Sequence, residues 1–210
     1  PVQVRTDAGK ALADHEATKA RWRSLKADAR VTQWGGLGRI RGTVLMFLEQ
    51  PNRVRFDVMT QVGPAAVLTS DGESFQLSDL RQGAFVHGPT CPENIARLLG
   101  ISVDAEEVIR LLTGDTTTLD AVEESMECRD GFYLVTLVAA DGETQEIAFS
   151  IDEADRQKPP DAQRLTLRRS TVRGPNGEKR WEATYDDYID VDGQAFPTNV
   201  RFVDEVNGAD

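Results

Sequence analysis

Five consecutive apolar residues, Val44, Leu45, Met46, Phe47 and Leu48, followed after Pro51-Asn52 by a segment of clean period two, constrain this chain more than anything else in it. Side chains alternate between the two faces of a β-strand, so an unbroken apolar run predicts a strand end covered on both sides. From Arg53 to Thr60 the pattern changes: Val54, Phe56 and Val58 share one face, while Arg53, Arg55 and Asp57 share the other. That is a half-buried antiparallel strand. Gly63-Pro64 opens the next, Ala65 to Thr69, and Ser70-Asp71-Gly72-Glu73 is a hairpin turn into Phe75 and Leu77. Strands joined so tightly predict a meander.

The rest of the chain repeats this grammar with two helical interruptions. Residues 6–24 predict an N-terminal helix capped by Thr6 or Asp7, with a narrow stripe of Ala11, Leu12, Ala13, Ala17 and Ala20. Leu25, Ala27, Ala29 and Val31 then alternate with polar residues as a strand. Residues 92–114 form a helical insert of two short helices, Glu93 to Leu99 and Ala105 to Thr113; Asp104 caps the second and Gly114 stops it. Further strands follow from Leu119, Phe132, Thr144, Gln163, Lys179 and Ala195, separated by turns such as Asp141-Gly142 and Asp192-Gly193. About eleven antiparallel strands and three helices with no crossover connection predict a mainly β protein (α+β), its curved sheet forming an incomplete β-barrel. With no linker dividing it, 1–210 reads as a single domain.

Charge excludes one class of partner. A net charge of -11 argues against nucleic acid, which demands clustered Lys and Arg to neutralise phosphates. No apolar run reaches the roughly 18 residues of a spanning helix, and no charged-then-apolar signal peptide is visible. The chain opens at Pro1 without Met, which predicts a processed or trimmed N-terminus; a signal peptide, a lipidated Cys or a cloning boundary would each explain it.

Catalytic and metal chemistry find little support. The Gly35-Gly36-Leu37-Gly38 turn fails the dinucleotide fingerprint because Arg41 stands at its last position. Asp186-Asp187 and Asp190 to Gly193 hint at calcium, but the loop register puts Tyr188 first and Asn199 twelfth, so they read as solvated strand-end carboxylates. No G-x-S-x-G elbow occurs, His87 reads as a polar strand-end residue, and Glu123-Glu124 as a solvated face. Cys91 and Cys128 fit one disulfide or two buried thiols equally well, and with His15 and His87 far away they make no metal site. No cofactor is expected.

The late strands carry a resemblance. Trp181-Glu182-Ala183-Thr184-Tyr185 with Tyr188, then Gly193-Gln194-Ala195-Phe196-Pro197-Thr198-Asn199-Val200, resemble the LolA/LolB-like superfamily, closest to the LolB-type outer-membrane lipoprotein receptor. The paired stretches Ile95 to Gly100 and Ile109 to Gly114, the Pro51-Asn52 turn, Arg55-Phe56 and Ser70-Asp71-Gly72 are similar to that superfamily too. The resemblance implies a non-enzymatic protein of the bacterial envelope, at the periplasmic face of the outer membrane and lipid-anchored. Its half-barrel would enclose an apolar cavity for lipoprotein acyl chains, with helices as lid and plug. Partners implied are acyl chains and lipoproteins, the outer-membrane lipid surface and a periplasmic lipoprotein carrier.

Cavity candidates are Val44, Met46, Leu48, Val54, Phe56, Val58, Leu68, Phe75, Phe149 and Trp181, for which plain core packing is the competing reading. Two departures qualify the resemblance. Gln50 stands where soluble carriers of the superfamily have an Arg, which counts against a carrier role. The receptor type's membrane-touching Leu is replaced at the matching loop by Val62, in Val62-Gly63-Pro64, for which an ordinary turn is the alternative. The chain also stops just after Asn207-Gly208, where that family starts a further strand, as a shortened chain would. The alternative function is a scaffold lipoprotein that uses the same fold for protein contacts.

Overall fold

The computed structural model describes residues 4–35, 38–91, 94, 104–206 and 208. Within them the chain forms two six-stranded antiparallel sheets, each a meander in sequence order. The first contains β1 (Ser24–Gly35), β2 (Gly38–Glu49), β3 (Arg53–Thr60), β4 (Gly63–Ser70), β5 (Ser74–Asp79) and β6 (Ala84–Pro89). The second contains β7 (Ala121–Arg129), β8 (Phe132–Ala139), β9 (Thr144–Ile151), β10 (Leu165–Arg173), β11 (Lys179–Val191) and β12 (Gln194–Asp204). The fold is mainly β, with one strand more than the eleven expected. Neither sheet closes on itself among the described residues, in agreement with an incomplete barrel.

The chain divides into two compact units, one built on Trp22–Arg110 and the other on Pro1–Arg21 with Leu111–Val206. In the first, hairpins are fixed by local hydrogen bonding. The Asp71 carboxylate accepts from the amides of Glu73 (2.9 Å) and Ser74 (2.8 Å), turning the chain between β4 and β5. Glycine is needed at position 72, where φ is +96°.

In the second unit, α1 (Ala8–Lys19) packs on the sheet through a stripe of Ala8, Ala11, His15 and Lys19, spaced so that all lie on one helix face. Asp7 caps it as expected, its carboxylate accepting from the Lys10 amide at 2.8 Å. The helix is shorter than 6–24 because alternation sets in at once after it: Trp22 is buried, Arg23 and Ser24 are exposed, and β1 has begun. Beneath α1 lie Tyr133, Val135, Leu137, Ile147, Phe149 and Leu167 of the sheet. Cross-strand pairs such as Tyr133 with Phe149 and Phe149 with Leu167 hold them on one face.

The second expected helix of the insert is α2 (Ala105–Thr113). A reciprocal capping box starts it: the Glu107 amide donates to Asp104 Oδ1 and the Asp104 amide to Glu107 Oε2, both at 2.8 Å. Gly114, at φ +76°, ends it. A Cβ there would lie 2.8 Å from the Tyr188 hydroxyl, so close packing as well as conformation requires glycine. The first expected helix, from Glu93 to Leu99, falls outside the described residues except for Asn94.

Candidate functional site

Register places eight of the ten cavity candidates on one face of the first sheet. Leu48 pairs with Val54, Met46 with Phe56 and Val44 with Val58; across the next ladder Phe56 pairs with Leu68, and Ser70 with Phe75. Directly opposed residues share a face, so these pairs form a continuous apolar surface, extended by Leu25, Ala27 and Ala29 on β1. Burial along it is graded. At the end nearest the β2–β3 and β4–β5 turns, Leu48, Val54, Phe56, Leu68 and Phe75 are buried. Towards the opposite end Val44, Met46 and Val58 are only half-buried. The face therefore combines a packed floor with side chains still able to take up apolar surface.

The other face of this sheet differs from expectation. Val44 to Leu48 was expected to be covered on both sides, yet Phe47 keeps 37% exposure. Its neighbours explain how an aromatic is tolerated there: Lys26 Nζ lies 5.4 Å from the ring centroid, and Arg55 is its cross-strand partner on β3. An open pocket of about 690 Å³ wraps the β5–β6 edge, taking in Phe75 from the apolar face and Gln76, Phe85 and His87 from the polar one. The graded face is the stronger candidate, because an acyl chain requires contiguous apolar lining.

Val62 projects from the β3–β4 hairpin with 96% of its surface exposed. The turn beneath it is held by Thr60 Oγ1 donating to the Gly63 carbonyl at 2.9 Å, and Gly63 at φ +120° lets the chain reverse. Pro64 is exposed beside it.

Phe149 and Trp181 sit in the second unit. Phe149 has no exposed surface, and its ring centroid lies 5.0 Å from that of His15 on α1; Trp181 stacks on Phe202 at 5.7 Å. They share their sheet's helix-covered face.

No family model matches the sequence, and no curated protein does either. Solved structures match the fold over almost the whole chain. A LolA superfamily protein from Nitrosomonas europaea is 10% identical over 96% of this chain and 88% of its own, with a TM-score of 0.54. A domain described as an outer membrane lipoprotein-sorting protein, from Vibrio parahaemolyticus, is 11% identical over 97% and 88%, with a TM-score of 0.55. A DUF1329 family protein from Desulfovibrio piger is 8% identical over 96% and 88%, with a TM-score of 0.57. The fold is LolA-like.

The chain also holds a buried polar nest that the sequence did not reveal. Beneath α1, His15 Nε2 lies 3.4 Å from Asp115 Oδ1, and Lys19 Nζ donates to the carbonyls of Thr113 and Ala195 at 2.8 Å each. Burial pulls the Lys19 pKa down to about 8, with the Asp115 charge opposing. Tyr185 donates to the Asp115 carbonyl at 3.0 Å and Tyr188 to the Leu167 carbonyl at 2.6 Å; burial raises both phenols. The available signal was His15 and Lys19 at i, i+4 on a small-residue helix, which by itself reads as a solvated edge.

The remaining candidates of the sequence have plain surroundings. Asp190 accepts from the Gly193 amide at 2.9 Å and so serves its turn. No group of three or more His, Cys, Asp or Glu side chains among the described residues could hold a metal ion. Cys91 and Cys128 are both free thiols, the first half-buried and the second exposed. His87 is exposed on the edge strand, its ring 5.9 Å from that of Phe85.

Proposed function

We propose that this protein is a non-enzymatic lipid- and lipoprotein-binding component of the bacterial envelope. In this reading it holds lipoprotein acyl chains on the apolar face of its first sheet and passes them to the outer membrane from the periplasmic side, receiving them from a periplasmic carrier. The observation that carries it is the graded face: Val44, Met46, Leu48, Val54, Phe56, Val58, Leu68 and Phe75 in one register, buried at one end and half-open at the other. The LolA-like fold supports it, and the Vibrio parahaemolyticus domain of similar fold is described as a lipoprotein-sorting protein. Val62, apolar and almost fully exposed, suits a transient touch on a bilayer.

The test is titration with a fluorescent fatty acid. Saturable binding at micromolar protein, displaced by a lipoprotein acyl peptide, is expected; absence of a saturating site overturns the reading. A scaffold role is the second reading, favoured by the exposed Phe85 and Val86 on edge strand β6. Lipid that copurifies with the folded protein favours the first over the second.

A further inference from the structure

In an antiparallel meander alternate turns fall at the same end of the sheet. The β3–β4 and β5–β6 hairpins therefore lie side by side, and the Leu80 amide ties them by donating to the Ala65 carbonyl at 2.9 Å. This end is both apolar and exposed: Val62 at 96%, Leu80 at 52% and Phe85 at 60%. The second tip is preformed, because Asp79 Oδ1 accepts from the amides of Arg81 (2.9 Å) and Gln82 (3.0 Å) and Gly83 adopts φ +66°.

Charge separates the two ends of this sheet. Around the tips, Arg81 and Arg41 are exposed; Arg41 stands two residues beyond Thr43 on β2, whose partner Met59 is next to Thr60, so that continuing the register brings it level with the β3–β4 turn. Asp79 turns a carboxylate oxygen to backbone amides here, and Asp57, one rung further in on β3, is paired with Arg55 at 2.8 Å. At the other end the turns carry Glu49, Asp71 and Glu73, all exposed, with Arg53 paired to Glu49 at 3.9 Å. A chain of net charge -11 is repelled by anionic phospholipid in most orientations, and presents a cationic, apolar rim in this one.

We propose that the hairpin end of the first sheet is a bilayer-docking rim in which Leu80, Arg41 and Arg81 meet the phospholipid surface together with Val62. The proposal rests on the acyl-binding reading, and it extends membrane contact from one residue to a two-tipped surface. One valine inserted alone gives weak, undirected adsorption. A second apolar tip fixes the angle of approach, and two guanidinium groups at headgroup depth engage phosphate oxygens.

The experiment is co-sedimentation of the full chain with vesicles of phosphatidylethanolamine and phosphatidylglycerol, and with neutral phosphatidylcholine vesicles. Leu80→Glu is expected to weaken binding to the mixed vesicles about tenfold through lost apolar insertion. Arg41→Gln and Arg81→Gln should each cost about fivefold there and change nothing on neutral lipid. Glu73→Gln, at the opposite end, should match the parent. All four variants should bind a fluorescent fatty acid in solution as the parent does, so loss of fatty-acid binding by the parent itself overturns the acyl reading, whereas the vesicle series judges the rim. Retention of Leu80→Glu and Arg81→Gln equal to the parent, at equal melting temperature, overturns the rim. So does a parent that binds neither vesicle, which assigns these tips to a protein partner.

Discussion

The Lys19 ammonium lies 2.8 Å from the carbonyl oxygen of Thr113, the last residue of α2, and thereby joins α1 to the C-terminal end of a second helix. A cation at that position meets the partial negative charge of unsatisfied carbonyls. The same ammonium reaches the Ala195 carbonyl on β12, so one side chain holds three elements.

This gives a pH signature. The folded-state pKa of Lys19 is about 8, below the ordinary 10.5, so between these values the unfolded chain binds more protons than the folded one. Stability therefore rises with pH across that window, the cost of the buried charge being present below it. Above the ordinary phenol value of 10.0 the sign reverses: Tyr185 and Tyr188 resist ionising in the fold, and the unfolded state is favoured. Lys19→Met should destabilise the protein by about 2 kcal/mol through the loss of both hydrogen bonds and should abolish the rise. Urea denaturation followed across pH measures both.

The graded apolar face separates stability from binding. Phe56→Ala, at a buried position, should cost about 3–5 kcal/mol in thermal or urea unfolding. Val44→Thr and Val58→Thr, at half-buried positions, preserve shape and strand preference. Each should leave melting nearly unchanged while weakening fatty-acid binding about fivefold or more, since the new hydroxyl must be desolvated by the ligand. Unchanged affinity in both threonine variants would assign the open end of this face to solvent.

Val62→Glu should fold normally, because Val62 touches little of the protein, and should slow transfer of acyl cargo from loaded protein to liposomes. An apolar tip of this size contributes roughly 1.5–3 kcal/mol when fully buried, enough for a touch and too little for anchoring. Val62→Leu should transfer as well as the parent or better. Equal rates for Val62→Glu and the parent would reduce the loop to a hairpin.

Gln145 offers a purely structural test. Fully buried, it donates through Nε2 to the Thr117 carbonyl and Ser170 Oγ, both at 2.9 Å, and its Oε1 accepts from the Leu119 amide at 2.9 Å. It fastens the segment between α2 and β7 to the second sheet. Gln145→Leu keeps the volume and strands these partners, with an expected loss of about 2–4 kcal/mol in urea unfolding.

Much of the local structure was legible because its causes are local. Turn residues at Ser70 to Glu73 and Asp192-Gly193, the cap at Asp104 and the stop at Gly114 act within a few positions of themselves. Alternation in Arg53 to Thr60 reports burial on one side, and it correctly grouped Val54, Phe56 and Val58. The Val44 to Leu48 run misled on cover because apolarity alone cannot distinguish a packed neighbour from a lysine laid over a ring, as Lys26 lies over Phe47.

The sequence by itself determined the strands, their turns, the caps of α1 and α2 and the exposed valine of the β3–β4 hairpin, since each depends on side chains acting on their own backbone. Only the tertiary structure decided which residues meet. It placed eight cavity candidates on one sheet face and Phe149 and Trp181 in the other unit, because register is set by pairing between strands and not within them. It also made Lys19 a buried tie: an i, i+4 pair on a weakly apolar helix has no preferred fate until two carbonyls from distant segments arrive within hydrogen-bonding distance.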